Sequence, residues 1–350
     1  MTLEEVISKV EPLDTEMMEI AKKRWDSIAK PLHSLGKLED LVVQIIGITG
    51  DQNADISRRA LVPMCADNGV VEEGVTQTGQ EVTAIVANNF LDGTTTSCIM
   101  CRQCKTDLFP VDVGILTDTR VRKDRKVACG TKNMTKGPAM TREEAVKGIE
   151  AGIHMAEELK EKGYQLLVTG EMGIGNTTTS SAVAAVLLKE PVETMTGRGA
   201  GLSSEGLARK IGAIKKAIEV NHPDPEDALD TLAKVGGLDM AGIAGLFLGG
   251  AALHMPVLID GFISCVGALI AKMLCPLSVD YMIPSHISKE PAAKLIMEAL
   301  GKAPVIHADM CLGEGTGAIA LLPLLDMGIA VFNSMSTFDD IQVEQYEELK

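Results

Sequence analysis

The chain has 350 residues, 46% of them apolar but only 3% aromatic, so its core must be built from Ala, Val, Ile, Leu and Met. That length supports one large domain or two modest ones. With 48 acidic and 33 basic residues the net charge is −15, a surface that repels nucleic acid and anionic membrane and argues against either as a partner. A small anionic substrate stays open, because a helix N-terminus binds phosphate locally. Met1–Lys9 holds Glu4 and Glu5 and no apolar run, unlike a signal peptide. A cytoplasmic protein with its 8 cysteines reduced is expected.

Helical spacing of apolar residues predicts helices over Leu3–Val10, Thr15–Ile28 and Leu38–Ile48, with the turn Lys30–Glu39 between the last two. Residues 1–50 and 331–350 are expected to form a small helical domain beside an α/β domain spanning 51–330. Ala60–Ala66 reads as a short strand closed by Asp67-Asn68-Gly69. A helix over Glu81–Cys101, a strand over Asp107–Val113 and a basic surface excursion over Thr119–Lys136 follow. Thr141 with Glu144 three residues on is a capping box for a helix to Lys162. Gln165–Thr169 is the next strand, Thr177–Leu188 and Ser204–Val220 the next helices. Met240–Ile259 is uncharged and long enough to span a bilayer. It is rich in Gly and Ala, lacks basic flanks and is bounded by Asp239 and Asp260. It is therefore read as a buried helix to Leu253 and a buried strand Pro256–Ile259. This alternation is the mark of an α/β fold, a mainly parallel Rossmann-like sheet with helices on both faces. Ligands in such folds bind beyond the C-terminal ends of the strands, where the ADNG, VDVG, TGEMGIGN and IDG strings should converge.

Two loops share a recipe: TGEMGIGNTTTSS over Thr169–Ser181 and LGEGTGA over Leu312–Ala318. Each sets one Glu among glycines ahead of a helical pattern. Glycine lets the backbone approach a ligand closely, and the following helix start can hold an anion such as a phosphate. Glu171 and Glu314 are then candidates for proton transfer beside a phosphate ester. A branched side chain at Gly175 is expected to block binding of the phosphate ester without unfolding the chain. The first loop lacks the spacing of a dinucleotide fingerprint and the Lys of a nucleoside-triphosphate loop, so neither hydride transfer nor ATP hydrolysis is indicated and no cofactor is expected. His286, in PSHISKEP, is the one histidine placed near a site. Cys98, Cys101 and Cys104 have no nearby His or fourth Cys, so packing rather than metal binding is expected.

GEMGIGNTTTSSA, Gly197–Gly199, the SHxSxEP pattern at Ser285–Pro291 and LGEGTGA together resemble the nicotinate-nucleotide:5,6-dimethylbenzimidazole phosphoribosyltransferase family of cobalamin biosynthesis. KPxxSLGxLE at Lys30–Glu39, ADNGV, GTTT at Gly93–Thr96 and VDVGI support it, collinear from Lys30 to Phe338. The resemblance implies transfer of 5-phosphoribose from nicotinate mononucleotide to an aromatic base, giving an α-ribotide and nicotinate. It implies Glu314 as general base and Glu171 near the ribose. It places the phosphate on Gly173, Gly175, Asn176, Thr177, Gly199, Lys210 and Ser288, and the acceptor among Asn68, Thr78, Val86 and Leu312. Where the family usually has His, Ser and Gln, this chain has Asn68, Thr78 and Val86. Val86 cannot pair with a second ring nitrogen, which opens an alternative acceptor, phenol or p-cresol. Family analogy then offers a homodimer, a heterodimer with a paralogous subunit, or a non-catalytic partner subunit.

Overall fold

The computed structural model describes residues 1–53 and 55–347; Ala54 and the last three residues of the 331–350 segment lie outside them. Helices α1 (Leu3–Lys9), α2 (Thr15–Ser27) and α3 (Lys37–Thr49) precede strand β1 (Arg59–Ala66). Helices α4 (Glu81–Asp92) and α5 (Thr96–Gln103) then lead to β2 (Asp107–Leu108) and β3 (Val111–Gly114). Helix α6 (Arg142–Glu161) precedes β4 (Leu166–Met172). Helices α7 (Asn176–Leu188), α8 (Val192–Met195), α9 (Ser204–Asn221), α10 (Ala228–Val235) and α11 (Leu238–Ala252) lead to β5 (Val257–Ile259). Helix α12 (Phe262–Leu274), strand β6 (Met282–Pro284), α13 (Ala293–Leu300) and α14 (Thr316–Ser334) complete the described elements.

The six strands form one sheet in the order β2-β1-β4-β5-β6, with β3 also on β1, and the named pairings are all parallel. Alternation along β1 sorts the core, because successive side chains leave a strand on opposite faces. Ala60, Val62, Met64 and Ala66 join a large cluster with α1, α6, α7 and α9 to α13. Leu61 instead joins Leu166, Val168, Leu258 and Ile283 against α2, α3 and α14. Cys65 lies on a third cluster with α4 and α5. The α/β sheet with helices on both faces is as read from the sequence. At the chain ends, Phe338 and Ala29 donate backbone bonds to Ser27 and Ser336, tying the C-terminal segment to the end of α2.

Three local readings need correction. The helix expected over Glu81–Cys101 is two, broken where Gly93 takes φ +70 and Thr95 caps α5. The strand expected over Asp107–Val113 is divided into β2 and β3, and β1 changes neighbour between them. Pro63, which has no N–H to give a neighbour, sits on β1 at that change. The basic stretch 119–136 is not wholly at the surface: Val127 N–H bonds to Val113 and Asp112 N–H to Arg122, so it runs along β3 and covers that edge.

Candidate active site

The loops after β4, β5 and β6 meet beyond the C-terminal end of the sheet, around a cavity of about 560 Å³. β4 runs straight into Glu171. Gly175, the N-cap of α7, takes φ +93 and leaves the helix start without a side-chain cap. Gly173, Ile174, Asn176 and Thr177 line the cavity at that start. The positive end of the α7 dipole therefore faces the cavity without a side-chain cap.

The second loop is built differently. The Asp260 carboxylate, at the end of β5, accepts N–H bonds from Gly315 at 3.1 Å, Gly317 at 2.8 Å and Ala318 at 3.0 Å. The start of α14 therefore already holds its anion, and the expectation of a phosphate site at this second helix start is corrected. Asp260 instead pins a strained turn. Gly313, Glu314 and Gly315 have φ of +89, +58 and +83. A glutamate there costs energy that the surroundings must supply, a pattern that concentrates at functional positions. A side chain at Gly313 would run into Glu171, and one at Gly315 into Leu61.

Glu314 lines the cavity, and its carboxylate accepts the Ser97 hydroxyl proton at 3.0 Å. Its N–H donates to Glu171 at 3.3 Å, so the two glutamates are joined through the backbone. Glu171 is buried, and burial, reinforced by the nearby Asp239 and Asp260 charges, pushes its carboxyl up to about 8. Asn176 donates its side-chain N–H to Glu171. Asp239, fully buried, is pushed up to about 6 by burial. His286 also lines the cavity, its ring against Gly317 and its Nδ1 3.2 Å from the Ser285 hydroxyl. Burial lowers its pKa, with Asp260 opposing.

Of the residues expected at the site, Glu171, Glu314, Gly173, Asn176, Thr177, Gly199, Ser288, Val86 and Leu312 share the walls of this cavity. Four do not. Gly175 faces Val71 and Asn68 and lines a smaller neighbouring cavity of about 180 Å³. A branched side chain there meets Val71 at a backbone angle that disfavours it, so the expectation of blocked binding without loss of fold is corrected. Thr78 is exposed and also lines the smaller cavity, because the loop ahead of α4 turns away from the main one. Asn68 is fully buried behind the first loop, accepting from Thr179 at 3.2 Å and donating to Asp239 at 3.4 Å. Lys210 lies behind the wall: its ammonium donates to the Thr177 hydroxyl at 2.8 Å and the Gly197 carbonyl at 3.2 Å, and burial lowers it to about 8.

The sequence reading missed Asp260, Ser97 and Glu290. Glu290 lines the cavity, and burial raises its carboxyl, while Lys210 opposes the shift. The IDG string marked the position of Asp260 without its role. Ser97 directly follows the GTTT string, and no local pattern announces its contact with Glu314. Cys98 and Cys101 pack into two different clusters. Among the described residues, no group of three or more His, Cys, Asp or Glu could hold a metal ion. The only helix among the described residues long and apolar enough to cross a membrane is α14, and half of its most apolar stretch is buried.

The profile of the phosphoribosyltransferase family matches residues 10–343. A nicotinate-nucleotide-dimethylbenzimidazole phosphoribosyltransferase from Ruminiclostridium cellulolyticum is 49% identical over the full length of both chains. One of the same name from Clostridium acetobutylicum is 46% identical, again over both full lengths. The crystal structure of CobT from Thermus thermophilus superposes with a TM-score of 0.89 at 38% identity, covering 95% of this chain and all of that one. The chain belongs to the nicotinate-nucleotide-dimethylbenzimidazole phosphoribosyltransferase family and is a pentosyltransferase.

Proposed function

We propose that the chain transfers 5-phosphoribose from nicotinate mononucleotide to 5,6-dimethylbenzimidazole, giving nicotinate and the α-ribotide. The observation that carries this reading is the Glu314 carboxylate, fixed at the wall of a cavity that also holds the uncapped start of α7. The phosphate would sit on Gly173, Asn176 and Thr177, with Gly199 and Ser288 across the cavity, and Lys210 would add positive charge through the Thr177 hydroxyl. The donor's glycosidic nitrogen is already cationic, so the C1′–N bond breaks without an acid and nicotinate leaves as a neutral-ring base. The benzimidazole nitrogen forms the new bond to C1′, and its N–H proton passes to Glu314. Glu171 would lie beside the ribose. Val86, Met172 and Leu312 supply apolar wall for the acceptor.

The phenolic alternative drew on Asn68, Thr78 and Val86, and of these only Val86 lines the cavity. The relatives matched over the full chain are named for dimethylbenzimidazole, and benzimidazole is the acceptor we assign. The eight free cysteines support action in the cytoplasm, and the exposed Ile85, Leu91 and Ile99 on α4 and α5 support a homodimer as the working form. The test is the purified chain alone with nicotinate mononucleotide and an equimolar mixture of dimethylbenzimidazole and phenol. Benzimidazole ribotide as the main product supports the reading. Phenolic ribotide as the main product, or turnover only after a second subunit is added, overturns it.

A further inference from the structure

The GTTT string at Gly93–Thr96 leads into α5 and takes no part in the mechanism above. What it does is place Ser97. Gly93, at φ +70, ends α4 and turns the chain so that Thr95 can cap α5 through its bond from Cys98 N–H at 3.2 Å. Ser97 then falls in the first helical turn, fully buried, with Thr95 and Ser97 hydroxyls 2.9 Å apart. The Ser97 hydroxyl donates to Glu314 Oε2 at 3.0 Å, and its backbone N–H approaches the same oxygen at 3.4 Å. The Glu314 carboxylate thus sits at the N-terminal end of α5, where a negative charge is favoured. Its backbone is fixed separately, by Asp260 and Glu171. The carboxylate has one oxygen on Ser97, and Asp260 bonds to the turn's backbone rather than to its side chain.

We propose that Ser97, set by Thr95 in the first turn of α5, is a positioning residue that holds the Glu314 carboxylate in the direction of the acceptor. This rests on Glu314 being the base. Holding one oxygen restricts a flexible side chain to one rotamer, so loss of the hold lowers the fraction of Glu314 in the reactive direction. Donor binding, at the far wall on α7, does not depend on it.

The experiment is steady-state kinetics of Ser97→Ala, Ser97→Thr and Glu314→Gln, and of Ser97→Ala in the Glu314→Gln background, each with nicotinate mononucleotide and dimethylbenzimidazole. Ser97→Ala is expected to lower kcat by about tenfold with KM for nicotinate mononucleotide unchanged. Ser97→Thr, which keeps the hydroxyl, is expected to stay within about threefold of the parent. Because Ser97 acts through Glu314, adding Ser97→Ala to Glu314→Gln is expected to cost nothing more. Parent-like kcat in Ser97→Ala, or a full further loss in the double variant, overturns the proposal. Parent-like turnover in Glu314→Gln alone would instead sink the base assignment on which it rests. Should Ser97→Ala fail to fold, Ser97→Cys is nearly isosteric with a weak donor and carries the same expected loss.

Discussion

Glu171 and Glu314 come from loops of like composition, yet their surroundings differ. Glu314 is half-buried with one hydroxyl on its carboxylate, while Glu171 is enclosed with Asp239 and Asp260 nearby. A carboxyl raised from the ordinary 4.5 to about 8 favours the folded chain while it is neutral. That contribution is fully present below about pH 4.5 and is lost as pH rises through 8. Asp239, raised from 3.8 to about 6, acts in the same direction. The parent should therefore lose stability to urea between about pH 5 and about pH 9, and Glu171→Gln should lose less and exceed the parent at the upper end. Parallel urea midpoints for the two proteins across that range would remove Glu171 as the source. Both glutamates were legible in the sequence because their glycine neighbours are contiguous with them. Ser97 was not, because its contact with Glu314 is made across 217 positions.

At the scale of elements, α7 and α14 contrast. Both start after a Gly-Glu loop, but α14 carries Asp260 on its first N–H groups and α7 carries no side-chain cap. Asp260→Ala should leave three buried N–H groups without partners and cost roughly 2 kcal/mol or more of stability. It should also lower kcat, since the turn that holds Glu314 loosens. Unchanged urea midpoint and kcat would show that this cap is dispensable. At Gly175, φ +93 and the 2.8 Å that a Cβ would leave to Val71 predict that even Ala costs roughly 1–3 kcal/mol, read from the same unfolding curves. The capping box on α6 was readable because Thr141 and Glu144 are local, and both of its bonds are present. The break between α4 and α5 was not, because apolar spacing continues across Gly93. β6, at three residues, is too short to show a period.

For the whole molecule, the alternation of strand, glycine turn and helix was enough to give the parallel sheet and the edge where the loops meet. It could not order the strands. β1 pairs side by side with β4, while β2 and β3, which lie between them in the chain, take the other edge of β1. No local pattern marks that exchange. Nor could the alternation separate the two cavities, so Asn68 and Thr78 were grouped with Val86 although they lie behind or beside its wall. The central claim is that one cavity at that edge binds the donor on α7 and removes the acceptor's proton with Glu314. The direct measurement is the rate of dimethylbenzimidazole-dependent nicotinate release by Glu314→Gln, with donor affinity measured alongside. The account predicts a fall of roughly 100-fold or more in kcat with donor affinity within a few-fold of the parent. A Glu314→Gln enzyme that turns over within a few-fold of the parent would contradict it.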